Sequence, residues 1–482
     1  MKTIKILSIF SLVLSLGVLS CSEDFLEQQP KLSQTNELSL STFDGIEKAI
    51  TGAYTPLYET VWYGRDFVVI ADLKGGNAKS SPMNSGRFRT EYLWSNTPTS
   101  TAGLWTEAYD LIARVNNVIN ALDGFEEIDV TQAQIDNLVG EAKFLRALAY
   151  HDLVRMYAQP YSQAPNSLGV PVVLETENGQ PARNTVAEVY QQIVADLTDA
   201  ETKLSADNNH GGNDPKAWAT KDAVKALFAR VYLYMEDWQK AADYASEIIN
   251  NEDYSLYTAD QYSVYSSGEN EDGVWGSLTS GDEDIFMVYG SEGNSSHGNW
   301  DVISYIMNPG GYGDVGASGD VLDLYEEGDV RGELFTNSTN FPNDFWTLKY
   351  PGKDGNLRED NINVLRLSEM YLIRAEAILN GASISGVSAV DDMNAIRENR
   401  GASELSTVTL NTVYDERRRE LCFEGHQLFD LARTGRGLER NDYDGSLNQN
   451  IPFPDHRWAM PIPQTEMDAN ENMEQNPGYG DN

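Results

Sequence analysis

Cysteine is nearly absent. The 482 residues hold two, Cys21 and Cys422, so at most one bridge could form. The pair need not form it, because the position of Cys21 gives it a different chemistry, described below. Histidine is scarce as well. His151, His210, His297, His426 and His456 are scattered, with no H-E-x-x-H and no clustered ligand spacing. No G-x-S-x-G occurs, which removes the commonest serine-hydrolase signature. Cationic residues are few: 35 Lys and Arg against 74 Asp and Glu give a formal net charge of −39. A phosphate backbone needs a basic footprint, so this balance argues against nucleic acid as a partner. It argues equally against docking on anionic lipid through a basic face. Beyond the N-terminus there is no run of ~18 or more apolar residues, the length a spanning helix requires.

What is present points to a folded body. Aromatic residues make up 10% of the chain, too many for an acidic disordered segment. The acidity fits a self-repelling, soluble protein working outside the cytosol, and the length permits two or three domains or one large helical domain. Met1–Ser20 begins with Lys2 and Lys5 and then runs apolar from Ile6 to Leu19, the charged and hydrophobic regions of a signal peptide. Val18-Leu19-Ser20-Cys21 resembles a bacterial lipobox. That resemblance implies cleavage before Cys21 and lipidation of its thiol and new amine, which anchor the chain by burying acyl CH₂ groups. Ser22-Glu23-Asp24 resembles a surface-export signal and favours the outer face of the outer membrane. Residues 21–41 then read as the lipidated N-terminus and a tether.

Helical periodicity dominates the rest. Thr42–Tyr58 reads as a helix with Ser41 or Thr42 as cap and Pro56 as its end or kink. Val61–Thr101 is irregular. Helices follow at Trp105–Leu122, Gly140–Tyr157 and Arg183–Leu204, and Thr220–Asn250 reads as a helical hairpin turning near Asp237. Small residues at the hairpin contact and an aromatic at the turn suit a tetratricopeptide-like arrangement, although the strict consensus is missing. Trp105, Trp218 and Trp238 lie in helical segments and are expected in the core. Further helices are predicted at Leu365–Asn380 and Val390–Arg400, the latter stopped by Gly401.

The segment Tyr414–Arg433, YDERRRELCFEGHQLFDLAR, concentrates both charge and bulk. Arg417, Arg418 and Arg419 sit between Glu416 and Glu420, and Leu421, Phe423, Leu428, Phe429 and Leu431 supply an apolar side. Such a segment packs one side and pairs carboxylates with guanidinium groups on the other, and a structural salt-bridge hub is the expected role. Its pattern E-R-R-R-E-L-x-F-E-G-H-x-L-F-D-L-x-R resembles the C-terminal signature of the SusD/RagB family. Cys422 and Gln427 depart from it, where a small residue and Arg are usual. Gly140–Tyr157, Leu365–Asn380 and the ending Pro461-Ile462-Pro463…Gln475-Asn476-Pro477-Gly478-Tyr479 resemble the same family in the same order. The resemblance implies a mainly α fold, with a tetratricopeptide-like helical-hairpin scaffold and a large irregular loop-rich region. It divides the mature chain at 42–253 and 254–482, with an irregular insert at 254–358 and helices over 365–433. It further implies a surface lipoprotein that captures oligo- or polysaccharide and serves as a lid on a SusC-like TonB-dependent transporter.

Between Tyr254 and Arg358 the helical period collapses into Gly, Asn, Asp and Ser, with one strand-like run at Asp284–Tyr289. An irregular stretch this long in a compact protein is usually functional. Sugars present apolar CH faces that suit flat aromatics, and hydroxyls that suit Asn, Asp and Arg. The candidate contacts are therefore Trp62, Tyr63, Arg65, Asp72, Arg87, Trp94 and Asn96 from the first irregular region. Trp275, Trp300, Tyr305, Tyr312 and Trp346 come from the second, with Asn299, Asp301, Asn308 and Asp314 beside them. By resemblance, Trp94-x-Asn96 falls near where the family places a ligand-contacting Trp and Asn. No motif singles out a catalytic carboxylate pair, so the reading is a non-catalytic binder without cofactor. A glycoside hydrolase on a helical scaffold and a protein-binding assembly lipoprotein remain as alternatives. Gly311–Gly316 matches G-x-G-x-x-G but follows Asn-Pro-Gly rather than a strand, and reads as a flexible loop. Asp442-Tyr-Asp444-Gly445 is a fragment of a calcium-loop pattern without its distal Glu, and leaves structural calcium open.

Overall fold

A computed structural model describes residues 39–480, except 177–178, 206–207, 209, 212–213, 265–272, 278, 291–299 and 354–355. The leader, Cys21 and Asn299 thus lie outside the described residues. The chain is mainly α-helical. Eleven longer helices carry the scaffold: α1 (Phe43–Ala53), α2 (Asp66–Gly75), α3 (Ala102–Leu122), α4 (Gln132–Tyr157), α5 (Val186–Lys203), α6 (Lys221–Met235), α7 (Trp238–Ile249), α8 (Leu367–Leu379), α9 (Ala389–Asn399), α10 (Leu410–Leu421) and α11 (Gln427–Arg433). α4 packs between α3 and α5, and α7 between α6 and α8, so consecutive hairpins stack side by side. One continuous core runs from Phe43 and Ile46 through Leu145, Leu227 and Ile373 to Ile462.

Local chemistry sets most of the boundaries. Thr42 caps α1 by accepting from the Gly45 N–H, and Thr185 and Glu188 form a reciprocal capping box on α5. Asp237 caps α7 at the expected turn. A capping box between Thr131 and Gln134 starts α4 at Gln132, about two turns before the predicted Gly140. Helix α2 occupies part of a region expected to be irregular. Residues Phe67–Val69 and Ala71–Gly75 are all buried, so α2 has no polar face and shows no amphipathic period.

The insert is likewise more ordered than expected. β1 (Ala78–Ser80), β3 (Val315–Ala317), β4 (Phe335–Ser338) and β5 (Phe341–Thr347) form an antiparallel sheet in the order β1-β3-β5-β4. This sheet joins the two irregular regions directly, with Ala78 opposite Ala317 and Ser80 opposite Val315. The predicted strand exists as β2 (Asp284–Val288), paired antiparallel to β6 (Ile362–Arg366). Leu365 and Arg366 therefore belong to a strand, and the predicted helix begins only at Leu367.

The Tyr414–Arg433 segment is two helices, not one. It breaks at Cys422–His426, where Phe423 has φ +63° and Gly425 φ +81°. The N–H groups of both residues donate to the buried carboxylate of Asp72, at 2.9 and 3.2 Å, which holds the break open. The charges behave as the expected hub. Glu416 meets Arg331 at 2.6 Å and Arg397 at 2.8 Å. Glu420 meets Arg366 at 2.7 Å, Arg400 at 2.8 Å and Arg331 at 3.0 Å. Glu283 joins Arg366 and Arg400, Glu424 joins Arg366 and Lys349, and Asp329 joins Arg331. Glu283, Asp329, Glu416, Glu420 and Glu424 are thus matched by Arg331, Lys349, Arg366, Arg397 and Arg400, and the interior is locally neutral in a strongly acidic chain.

Burial alone would push the carboxyls of Glu416, Glu420 and Glu424 up, but the facing cations outweigh it and hold all three below the usual range. Their stabilisation is full above the unfolded carboxylate pKa of about 4.3 and is lost as pH falls through their folded values. Burial prevails at Asp72 and Asp284, both raised to about 6, and at Asp360, raised to about 8. Their contribution is full below about pH 4 and is lost as pH rises through those values. For these groups thermal melts across pH 2–9 should therefore show a maximum at about pH 4; a monotonic rise to pH 8 would refute this balance. Glu420→Ala, which takes one carboxylate from each of three buried arginines, should cost about 3–5 kcal/mol in denaturant titrations.

Candidate functional site

The loop between residues 300 and 314 gathers the exposed candidates. A helical turn, Ile303–Ile306, is anchored by the Ile303 N–H donating to the Gly64 carbonyl at 2.9 Å and by the Ser304 hydroxyl donating to the Leu357 carbonyl. Its inward side buries Ile303, Ile306 and Met307, which turns Tyr305 outward. The chain then reverses: Tyr312 and Gly313 both donate their N–H to the Tyr305 carbonyl. Gly313 takes φ +59°, and a Cβ there would meet the Met83 sulfur at 3.0 Å. The Gly313 carbonyl accepts from Trp346 Nε1 at 2.9 Å and from the Ser81 hydroxyl.

This places three rings in series. Trp300 meets Tyr305 edge-on with centroids 5.4 Å apart, and Tyr305 meets Tyr312 at 5.3 Å. Trp300 is 48% exposed and Tyr312 38%. Arg358 stacks its guanidinium 3.7 Å from the Trp300 centroid, and Arg87 lies 4.3 Å from that of Tyr312. Asp301 pairs with Arg65 and lies 3.6 Å from Arg87, and Asp314 pairs with Arg87 at 3.2 Å. Asp314 also accepts from the backbone and hydroxyl of Ser85. The result is a partly exposed aromatic strip bordered by guanidinium and carboxylate groups. It can stack on apolar ring faces while offering donors and acceptors at the edges.

The structure brings together Arg65, Arg87, Trp300, Tyr305 and Tyr312. The other candidates are enclosed, and a side chain without an accessible face cannot stack on a ligand. Trp62 donates Nε1 to Asp152 at 2.8 Å, and Tyr63 stacks on Trp62. Asp72 holds the α10–α11 break, as described. Trp94 packs edge-on against Trp458 and carries the Lys74 amine 3.7 Å over its ring. Asn96 donates to Glu91 and accepts from Lys74. Trp275 sits in a small cluster with Tyr262, Val264 and Leu334. Trp346 is fully buried beneath the Gly313 turn, where it supports Tyr312. Trp105 and Trp218 are buried as expected, although Trp218 follows a short 3₁₀ turn instead of lying in a helix, and Trp238 is only half-buried. Arg358 escaped the sequence reading because nothing local links it to Trp300. The calcium-like fragment is committed elsewhere: Asp442 to Lys79 and the Gly319 N–H, Asp444 to the Tyr92 hydroxyl. Among the described residues no group of three or more Asp, Glu, His or Cys side chains converges as a metal site.

A sizeable concavity lies apart from the strip. It is a cleft of about 850 Å³ between Gln159–Leu168 and the C-terminal residues Phe453–His456 and Asn476–Pro477. None of the strip residues lines it. We favour the strip because its flat, accessible rings and bordering charged groups fit one ligand chemistry.

Comparison with known proteins supplies the family. The family model described as starch-binding associating with outer membrane matches residues 24–233, and the one described as SusD family matches residues 336–479. A SusD superfamily protein from Bacteroides vulgatus, known from its crystal structure, is 30% identical with a TM-score of 0.80; the match covers 91% of this chain and 99% of that one. The chain belongs to the SusD family. SusD-like protein P2 of Formosa agariphila is 26% identical, covering 97% of this chain and 98% of the relative. Starch-binding protein SusD of Bacteroides thetaiotaomicron is 33% identical over 125 residues, 25% of this chain and 22% of that protein. The SusD assignment agrees with the mainly α fold. No helix among the described residues is long and apolar enough to cross a membrane.

Gly313→Ala should test how the strip is held. Forcing Ala into positive φ costs about 1–2 kcal/mol. A modest loss of thermal stability with unchanged far-ultraviolet circular dichroism is expected, together with altered fluorescence quenching of the exposed Trp300. An unaltered quenching profile would show that the turn does not position the strip.

Proposed function

We propose that this protein binds oligo- or polysaccharide at the strip formed by Trp300, Tyr305 and Tyr312, with Arg65, Arg87, Arg358 and Asp301 reading the hydroxyls and buried Asp314 holding Arg87 in place. The observation that carries the reading is the exposure of Trp300 and Tyr312 at the two ends of three adjoining rings, in a family described as starch-binding. Residues 254–482 supply the rings and residues 42–253 supply Arg65 and Arg87, so the site spans both parts of the chain. The protein hands its ligand unaltered to a SusC-like TonB-dependent transporter. It is held at the outer face of the outer membrane by lipid on Cys21, and tethering raises the local concentration of captured glycan at the pore.

Non-catalytic binding is supported by the carboxylates. A glycosidase needs one carboxyl raised as general acid beside a second carboxylate. Asp301 and Asp314, the acids at the strip, are both paired with arginine. The carboxyls raised furthest, Asp72, Asp284 and Asp360, are enclosed in the fold, where each accepts from the backbone.

Native affinity electrophoresis in gels containing neutral and acidic polysaccharides tests this directly. At least one polysaccharide should retard the protein while product assays show no cleavage. Trp300→Ala and Tyr312→Ala should each lose about 2 kcal/mol, roughly 30-fold in affinity. Retardation by none of the panel would sink the glycan reading, and release of shortened products would turn the reading toward an enzyme.

A further inference from the structure

Lys74, Glu91 and Asn96 form a buried cluster that the glycan reading does not use. Lys74 is on the last turn of α2 and is 1% exposed; Glu91 and Asn96 are each 7% exposed. The Lys74 amine lies 3.3 Å from Asn96 Oδ1 and 3.7 Å from the Trp94 ring centroid. On its other side Asn96 donates Nδ2 to Glu91 Oε1 at 2.9 Å, and the second oxygen of Glu91 accepts from the Thr90 hydroxyl. Every cation of the hub has a carboxylate at ion-pair distance. Lys74 has none within 4 Å among the described residues.

From this geometry we propose that Lys74 and Asn96 join in an intramolecular isopeptide bond, with the Glu91 carboxylate stabilising the positive charge that develops on the departing Nδ2. The Lys74 amine adds its lone pair to Asn96 Cγ, forming the Nζ–Cγ bond. Within the adduct one proton moves from Nζ to Nδ2, the nitrogen that hydrogen-bonds to Glu91 Oε1. The Cγ–Nδ2 bond then breaks, and ammonia leaves. The product is a secondary amide, and the step requires no oxidant, reductant or further reactant. The arrangement meets each requirement. The Lys74 amine donates to Asn96 Oδ1, one bond from the carbon it must reach, and the leaving nitrogen faces the Glu91 carboxylate. Burial pushes the Lys74 amine down to about 7, with nearby Arg457 and Arg440 adding to that and Glu91 and Asp455 opposing it, so much of it is unprotonated at neutral pH. Trp94 and the surrounding core exclude the water that would compete, and fixed proximity replaces a bimolecular encounter.

The bond would close the segment from residue 74 to residue 96 into a covalent ring. That segment carries Ser85, Arg87 and β1, which link the strip to the scaffold. In a chain with no disulfide to offer there, a cross-link would limit the unfolded state as a disulfide does.

Peptide mapping of the full-length protein decides the matter. The folded protein is denatured, digested with trypsin and analysed by mass spectrometry. The expected result is that trypsin fails to cut after Lys74. The peptide containing Lys74 is then recovered joined to the peptide containing Asn96, lighter than their sum by one ammonia. Glu91→Gln should yield the two peptides separately at their sequence masses. Cleavage after Lys74, with both wild-type peptides linear in fresh and aged samples, would overturn the proposal. This wild-type result stands even if the variant does not fold. A joined peptide in Glu91→Gln would overturn the role given to Glu91.

Discussion

Glu420 sits fully buried against Arg331, Arg366 and Arg400, and much of the structure depends on satisfying that arrangement. A buried carboxylate is tolerable only if cations and hydrogen bonds replace the water it has lost. Its cations come from distant parts of the chain: Arg331 from the insert, Arg366 from β6, Arg400 from the end of α9. Each in turn needs its own acid, which brings in Asp329, Glu283, Glu424 and Glu416. The network therefore works as a set of mutual demands that are met together only when the insert lies correctly on the helices. The acidity of the chain does not reach this centre, where acid and base are balanced.

The strip inherits its position from the same logic. Its rings are carried by a loop, and loops are held by what lies beneath them. Trp346 and Ser81 fasten the Gly313 carbonyl, β3 continues directly into the sheet with β1, and Ile303 bonds back to Gly64. Aromatic residues thus divide by task. Trp62, Trp94, Trp275 and Trp346 fill the layer under the loops, while Trp300 and Tyr312 stay accessible. Arg65 and Arg87 connect the two layers through Asp301 and Asp314, so the charged border of the strip is also part of its support.

The local signals were legible. The helix periods, the Thr42 cap, the Asp237 turn and the Gly401 stop are found in the structure with only their boundaries shifted, because each depends on neighbours within one or two turns. Helix α2 was not legible, because an element buried on every side shows no polar period. The three-residue strands β1 and β3 are too short for alternation to register. The break after Leu421 was hidden too: its cause is Asp72, far away in sequence, which offers acceptors to two backbone N–H groups that would otherwise have none. Most of the candidate site was misjudged in one direction. An aromatic in an irregular stretch reads as exposed, yet most of those named fill the core beneath the loops.

By itself the sequence determined the helical scaffold, the presence of a charged hub and the SusD kinship, since each is written in short-range spacing or in motifs whose order is preserved along the chain. Only the tertiary structure decided which arginine answers which glutamate, which rings face solvent, and that Arg358 lies over Trp300 and Lys74 beside Asn96. The reason is physical. Periodicity reports the face a residue takes within its own element. Burial of a loop residue, and the partner of a buried charge, are set by segments that meet it only after the chain has folded.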